Sequence, residues 1–225
     1  MRLFLCEKPS QGRDIGRVLG ATNDGGGCLM GDGVTVTWCI GHLLEMAPPE
    51  SYDAALRSWD LSALPILPER WLLEVKDNAR GQFRRVQELL GQAREVVIAT
   101  DADREGEVIA REIMERCRWH GPVGRLWLSA LDPASIRKAL AQIQDGARTE
   151  PLYQAGLGRS RADWLVGINL TRAYTVAGRQ GGHDGVLSVG RVQTPTLALV
   201  VARDREIEGF TPAAYYDLMA QIAMG

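Results

Sequence analysis

Asp101, Asp103 and Glu105 stand close together in Thr100-Asp101-Ala102-Asp103-Arg104-Glu105-Gly106-Glu107. Such a cluster can serve two ends. In a first helical turn, acidic side chains complement the helix dipole and cap free N–H groups. Carboxylates this close also repel one another, and a hard divalent cation relieves the repulsion. Mg²⁺ takes oxygen ligands, usually one or two carboxylates with water and substrate phosphate making up the rest. The second use is metal-assisted phosphoryl chemistry, which several nuclease and polymerase types share.

Those side chains need a scaffold. Glu95-Val96-Val97-Ile98-Ala99 is apolar and β-branched, which predicts a buried strand ahead of the cluster. Val108, Ile109 and Ile113 recur at helical spacing after it. At the N-terminus, Arg2-Leu3-Phe4-Leu5-Cys6 predicts a second short strand, ended by Glu7-Lys8-Pro9-Ser10. A helix then opens at Pro9 or Ser10 and runs to about Leu19. Strand–helix alternation predicts a parallel sheet with helices on both faces. Parallel strands would deliver Glu7 and Lys8 to the edge that carries Asp101, the edge where open α/β sheets bind ligands. Gly12, Gly16 and Gly20 fall on one helical face and are expected to pack closely on the sheet. No Gly-Lys-Ser/Thr follows a glycine-rich loop, so nothing asks for ATP.

Further along, Val34 to Ile40 alternates like a strand, and Gly41-His42 turns out of it. His42 is open to either a phosphate contact or a structural role. Pro48 to Pro68 reads as irregular chain laid on the surface. Asn78 to Ala93 predicts a helix with Phe83, Val86, Leu89 and Leu90 inward and Arg84, Arg85 and Glu88 outward. Arg125 to Leu128 predicts a strand, and Asp132-Pro133 opens a helix to about Ile143. Past Glu150 the pattern changes to a long helical region, Leu152 to Arg179, broken at Gly181-Gly182. A polar loop from Leu187 leads into a helix from about Pro195 to Glu208, and Phe210 to Ala223 reads as the start of a new element.

Composition bounds the rest. The chain has 225 residues, 45% hydrophobic and 24% charged, as expected of a soluble globular protein with one good core. Its net charge of −2 means that any basic footprint is local. Arg159, Arg161, Arg172, Arg179 and Arg191 supply one, against Asp163 and Asp184. Cys6, Cys28, Cys39 and Cys117 have neither C-x-x-C spacing nor a histidine at a zinc interval, so reduced buried thiols and no zinc are expected. The apolar start ends at once in Glu7-Lys8, and no run reaches the ~18 apolar residues of a membrane span. A cytoplasmic protein without a membrane partner is the expectation.

With these stretches in hand, the chain resembles the type IA DNA topoisomerases, in their bacterial topoisomerase III form. Leu5 to Ser10 resembles the family's opening strand and acid, and Thr37 to Glu45 its next block. Asp101 to Glu107 resembles the Toprim acidic motif. Arg159 to Thr175 and Leu187 to Pro195 resemble the helical domain that grips DNA. The acidic motif is shared with primases, gyrase-type enzymes and some nucleases. Arg-Ala-Asp-Trp and Ser-Val-Gly-Arg-Val-Gln-Thr-Pro are far more specific.

The resemblance implies an α/β fold: a Toprim, Rossmann-like parallel sheet with flanking helices, followed by part of a mainly helical DNA-binding domain. It divides the chain into a Toprim domain at 1–150, the first helical segment at 151–212, and the start of an arch domain at 213–225. It implies strand breakage by a tyrosine that holds the 5′ end covalently while another strand passes. Glu7 would be the acid and base at the 3′ oxygen and also one of the metal-site residues, and Lys8 would stabilise the scissile phosphate. Asp101 and Asp103 would hold Mg²⁺, with Mn²⁺ as the alternative, and Glu105 would support them. Arg104 would be a structural partner of these carboxylates, with a phosphate contact as the alternative. Ser188, Val189, Gly190, Arg191, Val192 and Gln193 would contact the single strand, with Arg161 and Asp163 helping to hold DNA or the domain interface. The partners implied are single-stranded or under-wound DNA, with a helicase as a candidate, in a nucleoid-associated setting. The nucleophile lies outside this stretch of the family's sequence. None of Tyr52, Tyr153, Tyr174, Tyr215 and Tyr216 has its Thr-Tyr-x-Arg context, so these residues alone are not expected to break and rejoin DNA. A Toprim nuclease using water and a non-catalytic single-strand-binding module are the competing readings.

Overall fold

The structure, a computed structural model, describes residues 1–223. Nine strands form: β1 (Arg2–Cys6), β2 (Asn23–Asp24), β3 (Cys28–Met30), β4 (Val34–Trp38), β5 (Leu44–Met46), β6 (Leu73–Val75), β7 (Glu95–Ile98), β8 (Val123–Arg125) and β9 (Gln144–Asp145). The helices are α1 (Pro9–Leu19), α2 (Arg80–Gln92), α3 (Arg104–Arg116), α4 (Pro133–Leu140), α5 (Glu150–Gln180) and α6 (Gln193–Glu208). The main sheet has the order β2-β3-β4-β1-β7-β8-β9, and β5 pairs with β6 apart from it.

The four central strands, β4-β1-β7-β8, are parallel. The sheet edges are not. β2 with β3, β3 with β4, and β8 with β9 pair antiparallel. Parallel neighbours need a crossover of a dozen residues or more, and the short turn through Gly25-Gly26-Gly27 permits only a hairpin.

Period-two alternation in β1 and β7 builds a core on each face. Leu3, Leu5, Val96 and Ile98 meet Phe83, Val86, Leu89 and Leu90 of α2 and Ile109 and Ile113 of α3. Phe4, Cys6, Val97 and Ala99 meet Ile15 of α1 and Ile136 of α4. Burying a side chain of this size stabilises by roughly 1.5–3 kcal/mol, so a sheet covered on both faces is a rigid base for its edge loops. Gly12 and Gly16 let α1 lie close to the sheet: a Cβ at Gly12 would stand 2.6 Å from the Trp38 ring, and one at Gly16 2.9 Å from Leu29. Gly20, grouped with them by spacing, instead ends α1 in the left-handed conformation at φ 71°.

Two sequence expectations are corrected. The strand placed at Arg125–Leu128 runs over Val123–Arg125. Gly124, a weak strand former, hid its start, and it sits there because a Cβ would come within 2.9 Å of Ile143. Arg85, expected outward, turns in: its Nη2 donates to the Gly25 carbonyl at 2.8 Å and lies 3.4 Å from Cys28 Sγ, pinning α2 to the hairpin.

The region Pro48–Pro68 is a strap of three short 3₁₀ turns laid against α5. Asn169 fastens it by exchanging both amide hydrogen bonds with Ile66, at 2.6 and 3.1 Å. Arg172 donates to the Leu56 carbonyl at 2.6 Å, and the Trp164 indole N–H to that of Ala47 at 3.2 Å. Gly156 lets α5 approach α3, since a Cβ there would stand 2.5 Å from Val108. No residue of α6 is buried. Beyond Glu208 no helix or strand forms among the described residues, and the last two positions of the 213–225 stretch lie outside them.

Candidate active site at the strand ends

The parallel register of β1 and β7, with Leu5 opposite Ile98, sends both chains off the sheet at the same edge. Glu7 and Asp101 leave it side by side. The Asp101 N–H donates to Glu7 Oε2 at 3.2 Å. Lys8 Nζ lies 3.1 Å from Asp101 Oδ2. Gln11, buried on α1, spans the pair: its Nε2 donates to Asp101 Oδ1 at 3.1 Å, and its Oε1 accepts the Glu7 N–H at 2.8 Å. Asp103 caps α3, its Oδ1 accepting the Gly106 N–H at 2.8 Å.

Glu7 titrates above the ordinary glutamate range. Burial is the largest cause, and the charges of Asp101 and, more weakly, Asp103 add to it. The Asp101 N–H and the Lys8 ammonium offset part of the rise. A carboxyl that keeps its proton longer than usual, beside a lysine, suits proton delivery to a leaving oxygen.

Glu105 stands apart from this group. Its side chain is 72% exposed and lies 3.7 Å from His42 Nε2, while His42 Nδ1 is 3.9 Å from the buried Glu112. Among the described residues no three His, Cys, Asp or Glu side chains converge into a ready metal cage. Arg104 makes no ion pair among the described residues; with His42, Asp103, Arg159 and Ser160 it lines a cleft of about 340 Å³ between the start of α3 and the N-terminal half of α5.

Sequence reasoning missed the groups that hold the motif in place. Arg125 is fully buried, and its Nε donates to Glu107 Oε1 at 2.6 Å. Its Nη1 donates to the carbonyls of Thr100 at 2.8 Å and Leu126 at 3.0 Å, and its Nη2 to that of Asp101 at 2.6 Å. Arg111 takes the other Glu107 oxygen at 2.8 Å and reaches Glu150 at 2.6 Å. Thr100 Oγ1 donates to the Gly106 carbonyl at 2.8 Å. Gly106 itself cannot carry a side chain, because its Cβ would overlap the Asp101 carbonyl oxygen. The backbone that aims Asp101 is thus gripped by a buried guanidinium. The spacing Glu107–Arg111, i to i+4, was the one signal available.

The other predicted site residues gather on the outer side of α5. Val189 is tied to Thr171 through both its N–H, at 2.9 Å, and its carbonyl, at 3.3 Å. Gly190 N–H donates to Thr194 at 3.0 Å, and Gln193 donates to Ser188 Oγ at 2.7 Å. Arg191 reaches back to Asp163 at 2.8 Å, and Val192 is 63% exposed. The loop 188–193 forms one wall of a groove of about 1150 Å³ between the strap, α5 and α6. Arg161 is not at that wall: it lies over the Trp71 ring, 5.5 Å from its centroid.

The Toprim domain family matches residues 2–131. The chain belongs to the Toprim family. A second family, DNA topoisomerase, matches residues 147–225, which includes the α5, loop and α6 walls of the outer groove but not its strap wall. The DNA topoisomerase 3 of Haemophilus influenzae is 44% identical over 228 residues, covering 99% of this chain and 35% of its own length. That of Bacillus subtilis is 43% identical over 222 residues, with 98% and 30% covered. The chain therefore spans about a third of the length of these relatives. A full-length topoisomerase I from Thermotoga maritima superposes with a TM-score of 0.64 over 94% of this chain and 31% of that one, at 23% identity, and so shares the fold. The Toprim assignment agrees with the strand-end geometry, since β1, β7 and the start of α3 all lie inside the matched range.

Proposed function

We propose that this chain supplies the Toprim part, at 1–150, and the first DNA-gripping segment, at 151–212, of an ATP-independent type IA topoisomerase of the topoisomerase 3 kind. The enzyme breaks and rejoins single DNA strands through a 5′-phosphotyrosine, and the tyrosine is contributed by sequence outside these 225 residues. The observation that carries the reading is the pairing of Glu7 with Asp101 across the β1–β7 edge, with Lys8 on the same carboxylate. Glu7 donates its proton to the 3′ oxygen as it leaves and takes it back on resealing. Lys8 balances charge at the phosphate.

Asp101 and Asp103 are the residues that would hold Mg²⁺ or Mn²⁺, with Glu105 reaching in through water. The donor set suits a hard ion: Asp101 and Asp103 both act on Glu7's titration, so the three carboxylates share one field. Bound metal supplies positive charge at the scissile phosphate. Single-stranded or under-wound DNA lies along Ser188–Gln193, with Arg191 on phosphate and Arg161 and Asp163 holding the adjoining surface. A helicase is the candidate partner in that task, and a nucleoid-associated location goes with it.

The test is incubation of the chain with an end-labelled single strand and Mg²⁺, beside calorimetric Mg²⁺ titration. The expected result is metal binding that is lost in Asp101→Asn, with neither a cut nor a covalent adduct. Cutting without attached protein would replace the topoisomerase reading with a Toprim nuclease. A covalent adduct formed by these residues alone would overturn the placement of the nucleophile.

A further inference from the structure

The groove beside Ser188–Gln193 contains two tryptophans, and they are used differently. Trp164 is engaged edge-on by Tyr52 at 5.8 Å and by Trp71 at 5.5 Å, and its N–H is spent on Ala47. Trp59, half-buried on the strap, has no aromatic neighbour among the described residues. It rests on two cations of α5: the Arg172 guanidinium carbon is 5.2 Å from the ring centroid and that of Arg179 is 5.8 Å. Arg172 is itself buried and also holds the Leu56 carbonyl at 2.6 Å, so the strap that carries the ring is clamped at its root. The result is an indole in the wall of the groove, backed by positive charge, and the Ser188–Gln193 loop with Arg191 lines the same groove.

The geometry points to Trp59 as a stacking platform for one base of a single strand whose phosphates follow the Ser188–Gln193 loop. This rests on the single-strand reading above and adds a base slot to it. A flat apolar ring backed by cations suits a nucleobase, whose π-face stacks on indole whatever the base. Arg191, whose pair with Asp163 is solvent-exposed, supplies positive charge for a phosphate in the groove, while Arg172 and Arg179 back the ring. The slot is therefore tolerant of sequence but demands that a base be present.

The experiment is a binding series with fluorescein-labelled oligothymidylate and oligomers carrying one abasic position moved along the strand. The wild-type chain, Trp59→Leu, Trp59→Phe and Arg191→Ala are compared. Trp59→Leu is expected to bind oligothymidylate about 5- to 150-fold more weakly, and Trp59→Phe to lose less. One abasic position should weaken the wild type and leave Trp59→Leu unchanged, a signature that loss of mere structural support cannot give. If Arg191→Ala weakens binding but Trp59→Leu does not, or if Trp59→Leu loses equally on every oligomer, the slot is refuted and the single-strand reading stands. The ring would then be cover for Arg172, or the groove the seat of another part of the polypeptide. If the wild type binds no single strand, both are refuted.

Discussion

Arg125→Met should destabilise the chain by about 3 kcal/mol, near the low end of the roughly 3–5 kcal/mol for stripping one partner from a buried ion pair. Arg125 and Glu107 are both fully buried, so neither charge can turn to water when the other is removed. The low end applies because Glu107 keeps Arg111 at 2.8 Å. The carbonyls of Thr100, Leu126 and Asp101 also lose their guanidinium donors, but these losses overlap with the pair and do not add to it. Against a total stability of roughly 5–15 kcal/mol, the change is large. Urea unfolding at neutral pH reads it as a lowered midpoint with unchanged slope. The double variant Arg125→Met/Glu107→Gln should be more stable than Arg125→Met alone, because it no longer buries an under-compensated carboxylate. Arg203→Met is the control: its pair with Glu206 is 71% and 68% exposed, and such pairs contribute ~0–1 kcal/mol. If Arg125→Met matches that control, or if the double variant is worse than the single one, the buried network does not hold the motif as described.

Further outcomes follow from the same contacts. Because Glu7's folded-state pKa is raised, the folded chain keeps a proton that the unfolded chain has already released just above the ordinary glutamate range. The contribution of Glu7 to stability is thus greatest below that range and is lost as pH rises through the raised value. Glu7→Gln should show a stability advantage that grows over that window, and urea midpoints at several pH values would show no such trend if the carboxyl were unperturbed. Gly106→Ala forces its Cβ onto the Asp101 carbonyl; a loss of about 1–3 kcal/mol is expected from overpacking, together with weaker Mg²⁺ binding by calorimetry. Asn169→Leu strands the buried Ile66 N–H and C=O, at a cost of about 1–3 kcal/mol, and hydrogen exchange should quicken across residues 48–68 while the central strands stay protected.

What was legible in the sequence was what repeats or stands close along the chain. The alternation in β1 and β7, the apolar face of α2 and the Asp103 and Asp132 caps rest on local spacing, and the strand-to-helix step at Asp101 follows from them. The joining of Glu7 to Asp101 was legible too, because parallel strands share an edge. Gln11 and Arg125 were not. Gln11 reads as an ordinary polar residue in a helix, and only the fold brings it to a carboxylate 90 positions away. Arg125 stands at the head of Arg-Leu-Trp-Leu, where a strand pattern assigns it a face but cannot supply the carbonyls that fill its fork. The placing of Glu105 beside His42 was not legible either. Its spacing from Asp103 suggests one cluster, but the backbone turns into α3 between them, and the helical step carries Glu105 toward His42.

The arginine-rich stretch shows how a local count of charge can overstate a binding surface. Arg161 spends its guanidinium on Trp71, Arg172 on Leu56 and Trp59, and Arg191 on Asp163, so the groove presents less free charge than five arginines imply. These commitments differ in strength. Arg172 is buried and shapes the groove whether or not a strand is present. The Arg191–Asp163 pair is 43% and 42% exposed, and a pair that wet holds by no more than ~1 kcal/mol. A phosphate entering the groove can outbid Asp163 for Arg191. Asp163→Asn should then tighten single-strand binding modestly and steepen its salt dependence. Weaker binding in that variant would mean that Asp163 works by holding the loop in shape, and that Arg191 meets DNA only when its carboxylate partner keeps it in place.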